Sequence, residues 1–158
     1  MSVGEFCNRE VVVAAGDESV QAGARLMREH HVGDLVLVEE RGDTRVPVGI
    51  VTDRDLVVEV MAAGIAPEVL RLGDVVTGPF FLVHEDDSLF DALEMMRGHG
   101  VRRVPVVDAD GGLAGIITAD DVVGLLAEML DDLAALVERE GARERARRPP
   151  RWEGTDGP

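Results

Sequence analysis

The chain has 158 residues, of which 46% are hydrophobic, and a formal charge of −15 at pH 7. The length allows one domain, or two small subdomains that share a core, and the hydrophobic fraction excludes a disordered chain. The charge argues against binding to nucleic acid or to an anionic membrane, and no apolar run is long enough for a transmembrane helix.

Particular residues exclude further classes of protein. The N-terminal residues lack the layout of a signal peptide, so we expect a cytoplasmic protein. Cys7 is the only cysteine, which excludes an intrachain disulfide and a cysteine metal cluster. The four histidines do not have the spacing of metal ligands, and no candidate nucleophile has a base beside it. We therefore expect neither a metal site nor an enzyme.

The first predicted element is a short apolar strand, VVVAA at residues 11–15. Residues 17–19 (Asp-Glu-Ser) then supply N-cap chemistry for a helix. The buried face of this helix is predicted to consist of Val20, Gly23, Ala24 and Met27. Two apolar strands follow, at residues 35–38 and 48–51, and a second helix ends the unit.

The same order of elements recurs in the second half of the chain. A shift of 69 positions aligns Ser19 with Ser88, and after the loop at 39–48 the shift falls to 66 positions. The equivalent strands are residues 80–83, 104–107 and 114–117, and the equivalent helix face is Leu89, Ala92, Leu93 and Met96. We predict an α/β fold of two β-α-β-β-α repeats, packed as a pseudo-two-fold pair.

The last predicted helix continues beyond the second repeat. We place the first repeat at residues 1–69, the second at 70–130, a helix extension at 131–148 and a flexible tail at 149–158. An a/d pattern runs along the helix through Val122, Leu126, Met129, Leu133 and Leu136. The pattern fits an ordinary amphipathic helix on its own core, but a homodimer contact explains better why the helix outlasts the repeat.

A nearly identical phrase ends the last strand of each repeat. It reads GIVTDRD at residues 49–55 and GIITADD at 115–121. In one interpretation, Thr-x-x-Asp is a capping box that only satisfies free backbone N–H groups. In the other, a carboxylate in the first turn of a helix accepts hydrogen bonds from a ribose diol, while the helix N-terminus attracts phosphate.

These features together resemble a pair of CBS (cystathionine-β-synthase) domains, or Bateman module. The resemblance covers roughly residues 2–130, and the two Thr-x-x-Asp endings are its most specific part. It implies an adenosyl ligand in the cleft between the repeats: AMP, ADP or ATP first, with S-adenosylmethionine or NAD as alternatives, and no required cofactor. The residues implied to hold its ribose or phosphate are Thr52, Asp55, Thr118 and Asp121.

Charged residues distinguish the two repeats. Arg102 and Arg103 precede the central strand of the second repeat, where the first repeat has Gly33 and Asp34. The resemblance implies that both arginines reach ligand phosphates, and the alternative is a surface ion pair with nearby carboxylates. Asp34 would repel a phosphate on its own side, and Arg54 would offset that repulsion.

The resemblance also implies where a base would bind. The matching positions are Val13, Val36, Thr77, Pro79, Phe81 and Pro105. A phenylalanine there could stack on adenine, although strand aromatics more often belong to a core.

We therefore expect a regulatory module that shifts between arrangements when it binds its ligand and signals through an effector protein. The contact with that effector is expected on the extended last helix or on the arginine-rich stretch at 138–158. The alternative is a ligand-free interaction module whose Thr-x-x-Asp motifs are only helix caps.

Overall fold

A computed structural model of the chain describes residues 1–76 and 78–148. Thr77, which we predicted in the base pocket, and the predicted tail at 149–158 lie outside the described residues. The chain divides into a body, residues 1–119, and a second unit that begins at Asp120.

The first repeat contains three strands, three helices and a short π-helical segment. These elements are α1 (Val3–Phe6), β1 (Val13–Ala15), α2 (Val20–His30), β2 (Asp34–Arg41), β3 (Thr44–Thr52), α3 (Asp53–Asp55) and the π-helical Leu56–Met61. The π-helical segment replaces the predicted α-helix, since Ala62 N donates to the carbonyl oxygen of Val57, five residues back, at 2.9 Å.

The second repeat has the same order of elements. They are α4 (Leu72–Val75), β4 (Val83–His84), α5 (Leu89–His99), β5 (Arg103–Val107), β6 (Leu113–Thr118) and α6 (Ala119–Arg147). β4 is shorter than the predicted strand at 80–83, because its pairing with β5 covers only Val83 and His84. β1 likewise begins at Val13 rather than at residue 11.

Each repeat forms a three-stranded sheet with the same topology. The strand orders are β1-β2-β3 and β4-β5-β6, with a parallel pair followed by an antiparallel pair. The register shifts between Leu37 and Val38 in one sheet and between Val106 and Val107 in the other, which are equivalent positions. The predicted α/β fold of two similar repeats is confirmed, and the repeats also share this register shift, which was not predicted.

The helices α2 and α5 begin at the predicted caps. Ser19 Oγ accepts a hydrogen bond from Ala22 N at 3.1 Å, and Ser88 Oγ accepts one from Phe90 N at 3.2 Å. The buried residues of these helices are Val20, Gly23, Met27, Leu89, Ala92 and Met96. Ala24 is exposed, so its predicted burial is wrong. The buried face of α2 is narrower than the i, i+3, i+4, i+7 spacing predicts.

The two repeats exchange their first helices. At the start of α1, Val3 N donates to the carbonyl oxygen of Asp87 at 2.9 Å, and Gly4 N donates to that of Glu85 at 2.8 Å. Val3 is fully buried there. The first helix of the first repeat is therefore held by the β4–α5 turn of the second repeat.

The reciprocal contact has the same pattern. At the start of α4, Leu72 N donates to the carbonyl oxygen of Glu18 at 2.9 Å, and Gly73 N donates to that of Gly16 at 2.8 Å. Leu72 and Val75 are buried in the core of the first repeat, although they belong to the second. Each repeat thus completes the core of the other.

Replacing Gly115 with alanine should destabilise the body. A Cβ at this position would lie 2.7 Å from Cys7 Sγ and 2.8 Å from the carbonyl oxygen of Asn8, and backbone cannot move aside cheaply. We expect Gly115→Ala to lower the free energy of unfolding by about 1–3 kcal/mol in urea denaturation. The matched control is Gly98→Ala in α5, where nothing lies within 4 Å and alanine should add up to about 1 kcal/mol. Equal stabilities for the two variants would contradict the close approach.

Candidate functional site

A cavity of about 230 Å³ lies between the two repeats of the body. Its described lining consists of Ile50, Asp55, Val76, Gly78, Pro79, Phe80, Phe81, Val101, Arg103, Val104 and Pro105. Within this set only Asp55 and Arg103 carry a charge. The cavity is therefore an apolar space with one negative and one positive group on its wall.

The Asp55 side chain is held by the capping box at the start of α3. Its Oδ2 accepts one hydrogen bond from Thr52 N and one from the Thr52 hydroxyl, both at 2.8 Å. The Thr52 Oγ1 in turn accepts a hydrogen bond from Asp55 N at 3.2 Å. The predicted capping box is thus present, and it fixes the carboxylate at the edge of the cavity.

Capping uses only one of the two oxygens of Asp55. Within residues 1–76 and 78–148, Oδ1 forms no hydrogen bond, and the residue is only half-buried. An ionised carboxylate has about four acceptor sites. The same side chain has the capacity to cap the helix through Oδ2 and to accept hydrogen bonds from a ligand through Oδ1.

Arg103 forms an ion pair across the two repeats. Its Nη1 lies 2.7 Å from Asp34 Oδ1, and the two side chains are 30% and 20% exposed. The contact is a short ion pair between two partly buried side chains. Of the two alternatives drawn from the sequence, the ion pair is present for Arg103, and the same residue also lines the cavity.

Aromatic and proline side chains form the apolar wall. Pro79, Phe81 and Pro105, three of the residues predicted for a base pocket, line the cavity together with Phe80. The Phe81 ring is stacked on the His99 imidazole, with ring centroids 3.9 Å apart and an interplanar angle of 23°. One face of Phe81 is therefore already covered, which leaves its edge and its other face for a ligand.

Six predicted site residues of the body do not line this cavity: Thr52, Thr118, Val13, Val36, Arg54 and Arg102. Val36 is fully buried in a cluster with Val38 and Ile116, and Val13 packs against that cluster. The Arg54 side chain is exposed. Arg102 is exposed as well, and its carbonyl oxygen accepts a hydrogen bond from Ala119 N at 2.8 Å.

The second Thr-x-x-Asp motif spans the boundary at Asp120. Thr118 ends β6, where its register partner is Arg103 on β5. Asp121 lies in the first turn of α6, in the second unit. A role for these two residues in ligand binding stays a prediction.

Sequence reasoning missed several lining residues. Ile50 and Val104 were available from the strand pattern, because they lie within the predicted strands at 48–51 and 104–107, which became parts of β3 and β5. Val76 and Gly78 follow α4 in the second repeat, and their equivalents at a shift of 69 positions are Cys7 and Arg9. Neither pair shares a residue type, so comparison of the repeats with each other gave no signal for these positions.

Other chemistry receives no support from the described residues. Residues 1–76 and 78–148 contain no group of three or more His, Cys, Asp or Glu side chains placed to hold a metal ion. Burial raises the pKa of the Cys7 thiol, which keeps the thiol in its neutral form. In this described part of the chain, the helices are too short or too polar to cross a membrane.

Comparisons with known proteins agree on one family. The family model of the CBS domain matches the chain twice, over residues 3–62 and 72–128. An uncharacterized protein of Methanopyrus kandleri is 37% identical over 123 residues, which are 78% of this chain and 61% of that protein. This chain therefore covers less than two thirds of that relative's length.

Two further relatives have descriptive names or solved structures. Hypoxic response protein 1 of Mycobacterium tuberculosis is 34% identical over 78% of this chain and 84% of its own. A crystal structure of Hypoxic Response Protein I with two coordinated zinc ions has a TM-score of 0.67 at 32% identity, over 78% and 97% of the two chains. A CBS domain protein of Pyrobaculum aerophilum complexed with AMP has a TM-score of 0.68 at 25% identity, over 77% and 89%.

Removing the Thr52 hydroxyl should weaken the cap. Thr52→Val keeps the shape of the side chain but loses the hydrogen bonds that Oγ1 makes with Asp55. We expect a loss of about 1 kcal/mol in the free energy of unfolding, measured by urea denaturation. Ser88→Ala, which removes the cap of α5, should cause a similar loss. An unchanged midpoint for Thr52→Val would contradict a working capping box.

Proposed function

The chain belongs to the CBS domain family, and from this premise we propose that it is a regulatory module that binds an adenine nucleotide between its two repeats. The observation that carries the proposal is the carboxylate of Asp55. It is fixed through Oδ2, open at Oδ1, and placed on the wall of an apolar cavity that also contains Arg103. The Pyrobaculum relative, which is described as a complex with AMP, supports the choice of ligand class.

The ribose is the part of the ligand that Asp55 would recognise. Its 2′- and 3′-hydroxyls are neighbouring donors, and a carboxylate accepts two such hydrogen bonds with charge-assisted strength. Thr52 would keep the carboxylate oriented through the capping box, so little conformational entropy would be lost on binding. Thr118 and Asp121 are proposed to form the equivalent pair for a second ligand.

The base and the phosphate would use the remaining walls. Adenine is flat and apolar on its faces, which suits the surfaces of Pro79, Phe80 and Pro105. Arg103 is the charged group within reach of a phosphate on that wall, and we keep Arg102 and Arg54 as further candidates outside it. The cavity volume of about 230 Å³ is below the ~300–1,000 Å³ of typical ligand pockets, so AMP, which is smaller than NAD, is the first ligand to test.

Regulation would follow from the position of the cavity. A ligand that contacts Asp55 in one repeat and Arg103 in the other favours the arrangement in which both are close. Such differential affinity shifts the population of conformations without any chemical step. CBS domain pairs are generally regulatory, and the family match indicates no catalytic family. The output would pass to an effector protein.

The competing function is a ligand-free interaction module. It is favoured by one observation, since the Thr52–Asp55 capping box would be complete without any ligand. The two functions differ in what the open oxygen of Asp55 does.

A pair of alanine variants separates the two functions. Asp55→Ala removes a cap and the proposed ribose contact, whereas Asp74→Ala removes a cap only, because Asp74 Oδ2 accepts from Arg71 N at 3.0 Å in α4. We expect AMP affinity, measured calorimetrically on nucleotide-free protein, to fall about 10- to 100-fold in Asp55→Ala. Asp74→Ala should bind AMP as the wild type does. Absence of AMP, ADP, ATP, S-adenosylmethionine and NAD binding in folded wild type would favour the interaction module.

We also propose that the chain forms a homodimer through α6. Val122, the first residue of the predicted a/d pattern, is buried, so the pattern does not describe one exposed stripe. Exposed apolar side chains follow the helix surface at alternating steps of three and four: Val123, Leu126, Leu130, Leu133 and Val137. Residues 119–138 contain six acidic residues and no basic one, whereas residues 139–148 contain five arginines and two glutamates. An antiparallel second copy would cover the stripe and bring opposite charges together, while a parallel copy would bring like charges together.

The dimer is tested by a charge placed on the stripe. Leu133→Lys puts an ammonium group into the proposed contact and should give a monomer in size-exclusion chromatography with light scattering. Ala135→Lys adds the same charge to an exposed position on the opposite face of α6 and should leave the dimer intact. A wild-type monomer at micromolar concentration, or a dimer in both variants, would contradict a contact through this stripe.

A further inference from the structure

The two sheets begin their central strands with opposite charges at equivalent positions. Asp34 is the first residue of β2 and Arg103 the first residue of β5, 69 positions later. These equivalent side chains meet each other, with Arg103 Nη1 2.7 Å from Asp34 Oδ1. The contact therefore crosses the pseudo-two-fold relation between the repeats.

The backbone register connects this ion pair to both Thr-x-x-Asp motifs. Asp34 is the register partner of Thr52 on β3, and Arg103 is the register partner of Thr118 on β6. Arg103 also lines the cavity that contains Asp55. A change in what Arg103 binds would therefore be felt at the cavity and at the junction of the two repeats.

We propose that Asp34 acts as a built-in competitor for the phosphate group of the ligand. In this structure the Asp34 carboxylate pairs with the arginine that a phosphate would use, since both anions pair with guanidinium in the same manner. A nucleotide must displace this carboxylate or bind beside it against its charge. This inference rests on the proposed function, because it concerns the ligand of the same cavity.

The competition makes the site respond to the charge of the ligand. A nucleoside has no anionic group to compete with Asp34 for Arg103 and would leave the ion pair intact. A nucleotide exchanges Asp34 for phosphate, and this breaks a contact between the two repeats. Nucleotide and nucleoside would then stabilise different arrangements of the repeats, which is the requirement for a signal.

The test compares AMP with adenosine in calorimetric titrations. Asp34→Asn removes the competing charge and keeps the shape of the side chain. We expect it to increase the affinity for AMP about tenfold and to change the affinity for adenosine less than twofold. The gain for AMP should shrink at 0.5 M salt, because the group is partly exposed and its repulsion is screened.

Two further variants serve as controls. Glu40→Gln removes a charge from the same strand, where Glu40 pairs with Arg45 at 3.1 Å outside the cavity, and it should change neither affinity. Arg103→Gln should lower the affinity for AMP but not the affinity for adenosine. In the double variant with Asp34→Asn, the affinity for AMP should not exceed that of Arg103→Gln alone. Because the double variant lacks the arginine, it controls for effects of Asp34→Asn on AMP affinity that do not pass through Arg103.

The outcomes distinguish this inference from the proposed function. Binding of both ligands with the same ratio of affinities in wild type and Asp34→Asn overturns the competition and leaves the nucleotide site intact. Failure of both ligands to bind to wild type and to Asp34→Asn overturns the proposed function, and the competition with it. Selective gain of AMP binding in Asp34→Asn supports both.

Discussion

The reciprocal exchange of the first helices is the contact on which the rest of the body depends. Val3 completes the second repeat and Leu72 completes the first, and each helix start is held by two backbone hydrogen bonds to a turn of the other repeat. A three-stranded sheet alone buries too little apolar surface to be stable. Because each core needs a helix from the other repeat, the repeats fold together, and the cavity between them has walls from both repeats.

The two interpretations of Thr-x-x-Asp turn out to describe different atoms of one side chain. Oδ2 of Asp55 belongs to the helix cap. No described residue donates a hydrogen bond to Oδ1, which is open to a ligand. A motif that serves folding in this way also presents a rigid carboxylate at a strand–helix junction. Rigidity is what a binding group needs, since ordering a mobile side chain would reduce the affinity.

Local features of the fold were predictable because local physics decides them. The caps at Ser19 and Ser88, the capping box at Thr52 and the strands at 35–38 and 104–107 follow from residue type and spacing. The helix exchange was not predictable, because a repeat packed on its own first helix would have the same pattern of apolar residues. The π-helical segment was not predictable either, because its apolar spacing resembles that of an α-helix. An ion pair of Arg103 was one of the predicted alternatives, but its partner Asp34 was not predicted. The alignment treats the two positions as equivalent, whereas the fold places their side chains in contact.

The arrangement of the ion pair has an evolutionary consequence. The exchanged helices give the chain the geometry of a swapped dimer of one ancestral unit whose two copies are now joined. In such a dimer the position of Asp34 and Arg103 would face its own copy, and any charged residue there would repel itself. Fusion into a single gene removes this restriction, because the two halves can mutate independently. Opposite charges on the pseudo-axis are thus a property that only the covalently joined pair can acquire.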